Sequence, residues 1–392
     1  MPDAAVTRAL EGKTFPGRVL LVAVGKAAWQ MAHAAWQTLG ERIDGGIVIT
    51  KYGHVKGPIG NLRLFEAGHP VPDENTFRAT QEVLKLVCGG EPEDTVLFLL
   101  SGGGSALFEL PLITDEELQD ITKQLLACGA DITEINTIRK RLSQVKGGRF
   151  AQSCAPAQVF SVVLSDIIGD PLDMIASGPA CPDSSTCGQA LQIAGKYGLR
   201  LSERGKQCLQ QETPKTLSNV TTCITGSVRQ LCLAAAEAAR ELGYAPQILT
   251  DSLSCEAKDA GVMLAERIKA CKAGTALIAG GETVVKLTGT GKGGRNQELA
   301  LAAAAVLEGQ EHVCLFSIGS DGTDGPTDAA GGFVDGITAA ILRAQGISIA
   351  QVLENNDAYR ALEKCGGLIF TGPTGTNVND VAVAIKSVPP ER

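Results

Sequence analysis

Two apolar runs in this chain break off abruptly into glycine. Thr95 to Leu100 leads straight into Ser101-Gly102-Gly103-Gly104-Ser105, and Val313 to Ile318 leads into Gly319-Ser320-Asp321-Gly322-Thr323-Asp324-Gly325. Leucine-rich and β-branched runs of this kind suit strands buried on both faces, as in a parallel sheet covered by helices. Such sheets place their chemistry in the loops beyond the carboxyl ends of the strands. Three consecutive glycines carry a backbone-entropy penalty, so close approach to a ligand explains the first loop better than a plain crossover turn does. Glycine makes up 46 of 392 residues with no collagen-like period, and its clustering at strand ends fits anion-binding loops.

A chain of 392 residues can bury a large core and form two or three domains. Its formal net charge is −8, with Lys and Arg scattered, so it lacks the concentrated basic patch of a nucleic-acid binder. An anionic substrate would have to be met by positive charge gathered locally. The 12 cysteines include no Cys-x-x-Cys pair and read as reduced thiols. None of the 4 histidines pairs at i,i+4 with another metal ligand, which argues against a structural zinc site. No long uncharged apolar run or signal-peptide core is evident. A cytoplasmic protein with neither membrane nor nucleic-acid partner is expected.

Arg18 to Val24 reads as the first strand, and Gly25-Lys26 opens a helix whose Ala28, Met31, Ala32, Ala35 and Leu39 share a face. Further strands are expected at Gly45 to Thr50, Leu62 to Glu66, Thr95 to Leu100 and Gln158 to Ser165. They alternate with helices, one running from Glu74 to Val87 with Asp73 as its cap. This alternation predicts an α/β fold with a mostly parallel sheet. The polar stretch Gln207 to Asn219 suggests two domains, 1–213 and 214–392. The second is expected to hold strands at Thr222 to Thr225, Tyr244 to Leu249, Ala276 to Ala279, Thr283 to Leu287, Val313 to Ile318 and Leu368 to Phe370.

The loop residues Ser101, Gly102, Gly103, Gly104 and Ser105 can turn several N–H groups toward one anion. They match neither a P-loop nor a dinucleotide fingerprint. Lys26 sits at a helix start, where the macrodipole disfavours a cation, so an anionic partner is attractive and a solvated lysine is the alternative. Asn136 to Arg149 is the densest positive segment; Arg139 and Lys146, seven apart, share a side only if helix persists between them. Glu282 follows a strand in Gly280-Gly281-Glu282-Thr283. Arg295 and Asn296 follow a glycine turn, and Arg295 can grip phosphate with two donors at once. Asp321, Asp324 and Asp328 crowd one loop and need compensation by Mg²⁺, a lysine or an arginine. Asp321 is the candidate base or metal ligand, and Asp166 with Asp170 forms a second acidic pair. Thr374 and Asn377 lie in a polar turn suited to phosphate or ribose. The composite points to phosphoryl transfer onto a small anion, with an oxidoreductase as runner-up.

Read in order, a series of motifs resembles the class II glycerate kinases, which carry a MOFRL-associated (DUF4147) N-terminal domain and a C-terminal MOFRL domain. In the first half these are Gly25-Lys26-Ala27, Gly68-His69-Pro70-Val71-Pro72-Asp73, Ser101 to Ala106, Asn136-Thr137-Ile138-Arg139-Lys140, Lys146-Gly147-Gly148 and Ala176-Ser177-Gly178-Pro179. In the second they are Gly280 to Thr283, Gly293 to Glu298, Asp324-Gly325-Pro326-Thr327-Asp328 and Thr374 to Asn377. The resemblance implies two α/β domains, the first Rossmann-like, with an interdomain active-site cleft. It also implies ATP- and Mg²⁺-dependent phosphorylation of D-glycerate, giving 2-phospho-D-glycerate, with Lys26, Arg295 and Asp321 catalytic and room for a homodimer. Arg139 is expected to hold the glycerate carboxylate, and Asp166 and Asp321 are the candidate metal ligands. Val228 and Ser320 stand where the family usually has asparagine and threonine. Only 17 residues precede Arg18, fewer than the family's usual helical leader, which bears on domain packing more than on chemistry. The alternatives are an NAD(P)H-dependent hydroxypyruvate reductase and a non-catalytic phosphometabolite-binding protein.

Overall fold

The computed structural model describes residues 2–164, 172–374 and 377–389. One compact unit ends at Thr225 and a second begins at Gly226. The first contains strands β1 (Val19–Val24), β2 (Gly45–Lys51), β3 (Arg63–Ala67), β4 (Thr95–Leu100), β5 (Gln158–Leu164) and β6 (Val220–Gly226). They form one sheet in the order β3-β2-β1-β4-β5-β6, and β1 to β5 are parallel wherever they pair. Every residue of β1 and β4 is buried, as their unbroken apolar runs require. Because the order reverses between β1 and β4, the loops after these two strands leave in opposite directions and open a crevice.

The helix Glu74–Val87 begins as the sequence predicts, with a capping box formed by Asp73 and Thr76. Helices Asp115–Ala127, Ile132–Leu142, Cys187–Lys196 and Glu203–Leu209 gather a separate apolar cluster around Ile121, Leu125, Ile138 and Leu142. Residues Pro2–Leu10 form a helix packed on Ala28–Leu39. The strand expected to open the second half, β6, instead completes the first sheet. The compact units divide at 225/226, twelve residues beyond the 213/214 boundary that the polar stretch suggested.

The second unit contains β7 (Ala245–Leu253), β8 (Thr275–Gly281), β9 (Val313–Gly319), β10 (Gly331–Asp335), β11 (Leu368–Ile369) and β12 (Asp380–Lys386). Their order is β11-β10-β9-β12-β8-β7. Only β7 and β8 pair in parallel; the other pairings are antiparallel. The parallel pattern of the first sheet therefore does not recur. The apolar stretch Thr283 to Leu287 is not a strand: it makes a single bridge, Glu256 to Val284, and Leu287 is 81% exposed. The middle of this sheet is closed by β12, which sequence reading passed over.

The core of this unit packs helix Ala257–Ala270 on helix Arg295–Leu307. Contact is close because small residues face each other: a Cβ on Gly261 would stand 2.1 Å from Leu299 O. Gly261→Ala should therefore destabilise this unit by about 1–3 kcal/mol, the usual result of overpacking. Urea denaturation monitored by circular dichroism measures the shift.

Candidate active site

In the first unit, candidate groups collect at the carboxyl ends of β1 and β4. Gly25 has φ +123°, and a Cβ there would lie 2.2 Å from Ser101 Oγ, so glycine alone lets the two loops touch. Lys26 N donates to Gly102 O at 2.9 Å, and Ala27 N donates to Ser101 Oγ at 3.1 Å. Gly103 is left-handed at φ +86°, with His69 and the Lys26 stem 3.1 and 3.2 Å from where its Cβ would stand. Lys26 itself is exposed. Among the described residues, the N–H groups of Gly102 to Ser105 reach no backbone carbonyl. The helix that follows, Gly104–Leu107, is a single turn, so any grip on an anion comes from these backbone donors and not from a helix dipole.

The loop is held from behind. Lys146 is fully buried; its Nζ donates to Ser105 O at 2.8 Å and Phe108 O at 3.0 Å, and lies 3.2 Å from Glu109 Oε2. An ammonium has three donors, and all three meet protein groups. Lys146 thus positions the loop, which corrects its assignment as a ligand-binding residue. Helix Ile132–Leu142 stops before it, so no continuous helix joins it to Arg139; the two come together through the fold, both near Glu109. Phe108 adds a second anchor, its ring 5.9 Å from Phe98 and 5.2 Å from Phe150.

Arg139 is half-buried and borders a cavity shared with His69, Gly103, Ser105 and Glu109. Burial lowers its pKa, and Glu109 opposes that shift. His69 is lowered as well, first by burial and then by Lys26 and Lys51, which favours the neutral imidazole. Sequence reading quoted His69 only within a motif and missed Glu109. The proximity of Glu109 to Ser105, four residues away, was the available signal.

In the second unit, Arg295 begins helix Arg295–Leu307 beyond Gly294. Its Nε donates to Asp380 Oδ2 at 2.6 Å, Nη2 to Asp380 Oδ1 at 3.2 Å, and Nη1 to Glu282 Oε1 at 2.6 Å. Burial works against the Arg295 charge, but Asp380 and then Glu282 outweigh it and raise the pKa. A guanidinium has five N–H donors, so two remain beyond these three bonds. The predicted phosphate cation therefore arrives already braced by two carboxylates. Asp380 was missed because recognising it requires placing β12.

The three crowded aspartates divide their tasks. Asp324 caps the Arg295 helix, accepting from Asn296 N at 3.1 Å and Gln297 N at 2.8 Å. Asp328 accepts from Tyr359 Oη at 2.8 Å. Asp321 is partly exposed, and among the described residues its carboxylate is engaged through Oδ1, accepting from Thr323 N at 3.0 Å. Asn296 is buried, donating to Asp324 and accepting from Ser317 Oγ at 2.6 Å; it stabilises this frame, and its predicted ligand contact is corrected accordingly. Thr374 N donates to Asp321 O at 3.1 Å, and Asn377 Oδ1 accepts from Asn379 N at 3.0 Å, so both lie in the turn that buttresses the Asp321 loop. Asp166 and Asp170 lie outside the described residues. Among the described residues, no group of three or more His, Cys, Asp or Glu forms a ready metal cage, and no helix is long and apolar enough to cross a membrane. All twelve cysteines are free thiols.

Burial pushes Asp324 up to about 6, against the pull of the helix N–H groups. A raised carboxyl pKa favours the folded state below the unfolded value near 3.8, and that contribution is lost as pH rises through about 6. Relative to Asp324→Asn, the native protein should gain on the order of 3 kcal/mol of stability between pH 7 and pH 4. Urea midpoints of both proteins across that range test the sign.

Residues 1–210 match the family described as a domain of unknown function (DUF4147), and residues 275–380 match the MOFRL family. A D-glycerate 2-kinase of Thermotoga maritima is 56% identical, with 98% of this chain and 94% of the relative covered. A glycerate 2-kinase of Pyrococcus horikoshii is 42% identical, covering 96% and 89%. A protein of Agrobacterium vitis named putative hydroxypyruvate reductase is 38% identical, covering 93% and 86%. The crystal structure of the Thermotoga maritima glycerate kinase superposes with a TM-score of 0.93 at 55% identity, covering 98% of this chain and 96% of that one. Similarity of this extent, carried through both units, shows that the chain belongs to the class II glycerate kinase family, with a DUF4147 region followed by a MOFRL region.

Proposed function

We propose that this protein is an ATP-dependent glycerate kinase that transfers the γ-phosphoryl group to D-glycerate, giving 2-phospho-D-glycerate and ADP. The observation that carries this reading is the Ser101–Ser105 loop, where the N–H groups of Gly102 to Ser105 lack backbone acceptors among the described residues, beside the exposed Lys26. Transfer of a phosphoryl group depends on positioning and on neutralising charge over its oxygens. The loop and Lys26 supply fixed dipoles and a mobile cation. Arg295, held by Asp380 and Glu282, offers its two remaining N–H groups in a fixed direction. The reading takes the first unit as a Rossmann-like sheet.

Magnesium takes one or two carboxylates and keeps water and phosphate oxygens as its other ligands. Asp321, with an oxygen outside its loop hydrogen bond, fits that demand, whereas Asp324 and Asp380 are committed to the helix cap and to Arg295. Bound Mg²⁺ would supply charge neutralisation on the transferring phosphate. Asp321 is then the metal ligand, or else the acceptor of the proton from the attacking hydroxyl.

Coupled assay of ADP formation with D-glycerate should show turnover that Lys26→Ala and Asp321→Asn each reduce by at least about 100-fold in kcat, as expected for loss of one preorganised charge. Full turnover in both variants would remove these roles. Reduction of hydroxypyruvate by NAD(P)H without ADP formation would replace the kinase with the oxidoreductase. In phosphorus NMR of the product, the 2-phospho isomer is expected; a 3-phosphoglycerate signal would reverse the regiochemistry.

A further inference from the structure

The first unit contains a cavity of about 370 Å³ beside the glycine loop. Pro70, Pro72, Phe77, Leu118 and Leu126 give it apolar walls, and Asp115, Gln119, Thr122 and Lys123 add polar groups along one helix. Of the charged residues on it, Asp115 and Lys123 are exposed, whereas Glu109 is buried and Arg139 half-buried. Glu109 is 2% exposed, and its Oε1 is buried with no hydrogen-bond partner among the described residues; Oε2 is held by Lys146. Arg139 is influenced by Glu109 across space and by burial, with no hydrogen bond contributing. A buried acceptor left unmatched carries a desolvation penalty, which a ligand with a suitably placed donor would relieve.

We infer that this cavity holds the adenine base of the nucleotide, with Glu109 Oε1 accepting from the exocyclic amino group and Arg139 donating to a ring nitrogen. The inference rests on the kinase reading above and supplies the base site that reading lacks. Glycerate is a poor occupant: it has almost no apolar surface to set against proline, phenylalanine and leucine, and its carboxylate would face the unpaired Glu109 oxygen. A purine has two apolar faces and a polar edge on which donor and acceptor alternate. Guanine offers two adjacent donors and would call for both carboxylate oxygens, one of which Lys146 occupies. Adenine asks for one. Gly103 and Ser105 border the same cavity, so phosphates attached to the base would lie toward the loop's backbone donors. Arg139 accordingly moves from the glycerate carboxylate, where the sequence placed it, to the nucleotide.

Glu109→Gln tests the assignment through a change in preference. The Lys146 ammonium needs an acceptor, so the amide oxygen should stay with it and the amide NH₂ should face the cavity. A donor there disfavours the amino group of adenine and suits the 6-oxo group of hypoxanthine. In equilibrium dialysis, the native protein should bind ADP at least about tenfold more tightly than IDP, and Glu109→Gln should bring the ratio to parity or below. Thr122→Phe, which fills the cavity from its half-exposed rim, should weaken ADP binding at least about tenfold while KM for D-glycerate stays within about twofold. An unchanged ADP to IDP ratio in Glu109→Gln, or full ADP binding by Thr122→Phe, overturns the base assignment. So does a rise in KM confined to D-glycerate, which would give the cavity to the acceptor. Dialysis needs no turnover, so absence of phosphoryl transfer to glycerate sinks the kinase reading while leaving the adenine assignment to stand or fall by binding.

Discussion

The first unit's site depends on one buried ammonium. Lys146 gathers Ser105 O, Phe108 O and the Glu109 carboxylate around a single charge with no access to water. A buried charge is tolerated only when paired and hydrogen-bonded, so the loop cannot move without stranding it. The glycines in front contribute no side chains and little rigidity of their own. Their shape is imposed by Lys146 behind, by the Phe98, Phe108 and Phe150 rings beneath, and by Gly25 pressed against Ser101. Backbone donors can serve an anion in fixed geometry because the side chains that fix them are themselves fully engaged.

The second unit solves the same problem with different groups. Asp324 reaches from the loop after β9 to cap the helix that begins with Arg295. A Cβ on Gly294 would stand 2.3 Å from the Asp324 carboxyl carbon, so the glycine permits the cap. The cap sets where the helix starts, and the start of the helix sets where Arg295 points. Asp380, at the first position of β12, receives the guanidinium through two bonds, which restrict its plane as well as its position. The Asp321 loop is cross-linked to the segment before β12 through Ser320, which donates to Asn379 O and accepts from Val378 N.

Local signals in the sequence identified what local physics decides. The buried strands β1, β4 and β5 announced themselves as apolar runs, as did β9, which alternates buried and partly exposed residues where burial on both faces was expected. The capped helix Glu74–Val87 was legible because its cap lies within one turn. Long-range pairing was less accessible. The stretch Thr283 to Leu287 has strand-like residues but no ladder partner beyond a single bridge, whereas β12 was overlooked although it joins β8 to β9. Candidate residues divided in the same way. Strand-end position pointed to Lys26 and Ser101, and a glycine turn before a helix to Arg295, but neither signal could separate a group facing ligand from one bracing the site. Lys146 and Asn296 look like binding residues in sequence and are buried supports in the fold, a distinction that depends on partners 38 residues away for Lys146 with Phe108 and 28 for Asn296 with Asp324.

Charge gives the two constellations different aptitudes. Around the glycine loop, the negative charge of Glu109 is already met by Lys146, leaving Lys26 and Arg139 as surplus cations close to backbone donors. Around Arg295, Glu282 and Asp380 outnumber the one guanidinium, and Asp321 adds a further carboxylate. The first arrangement suits an anion, while the second keeps a surplus of negative charge around its one guanidinium. For a chain of net charge −8, this distribution explains how an acidic protein can accept negatively charged reactants without a broad basic face. It also gives Arg295 a narrower role than free phosphate capture. With its charge largely compensated by Asp380 and Glu282, its remaining N–H groups contribute direction more than field.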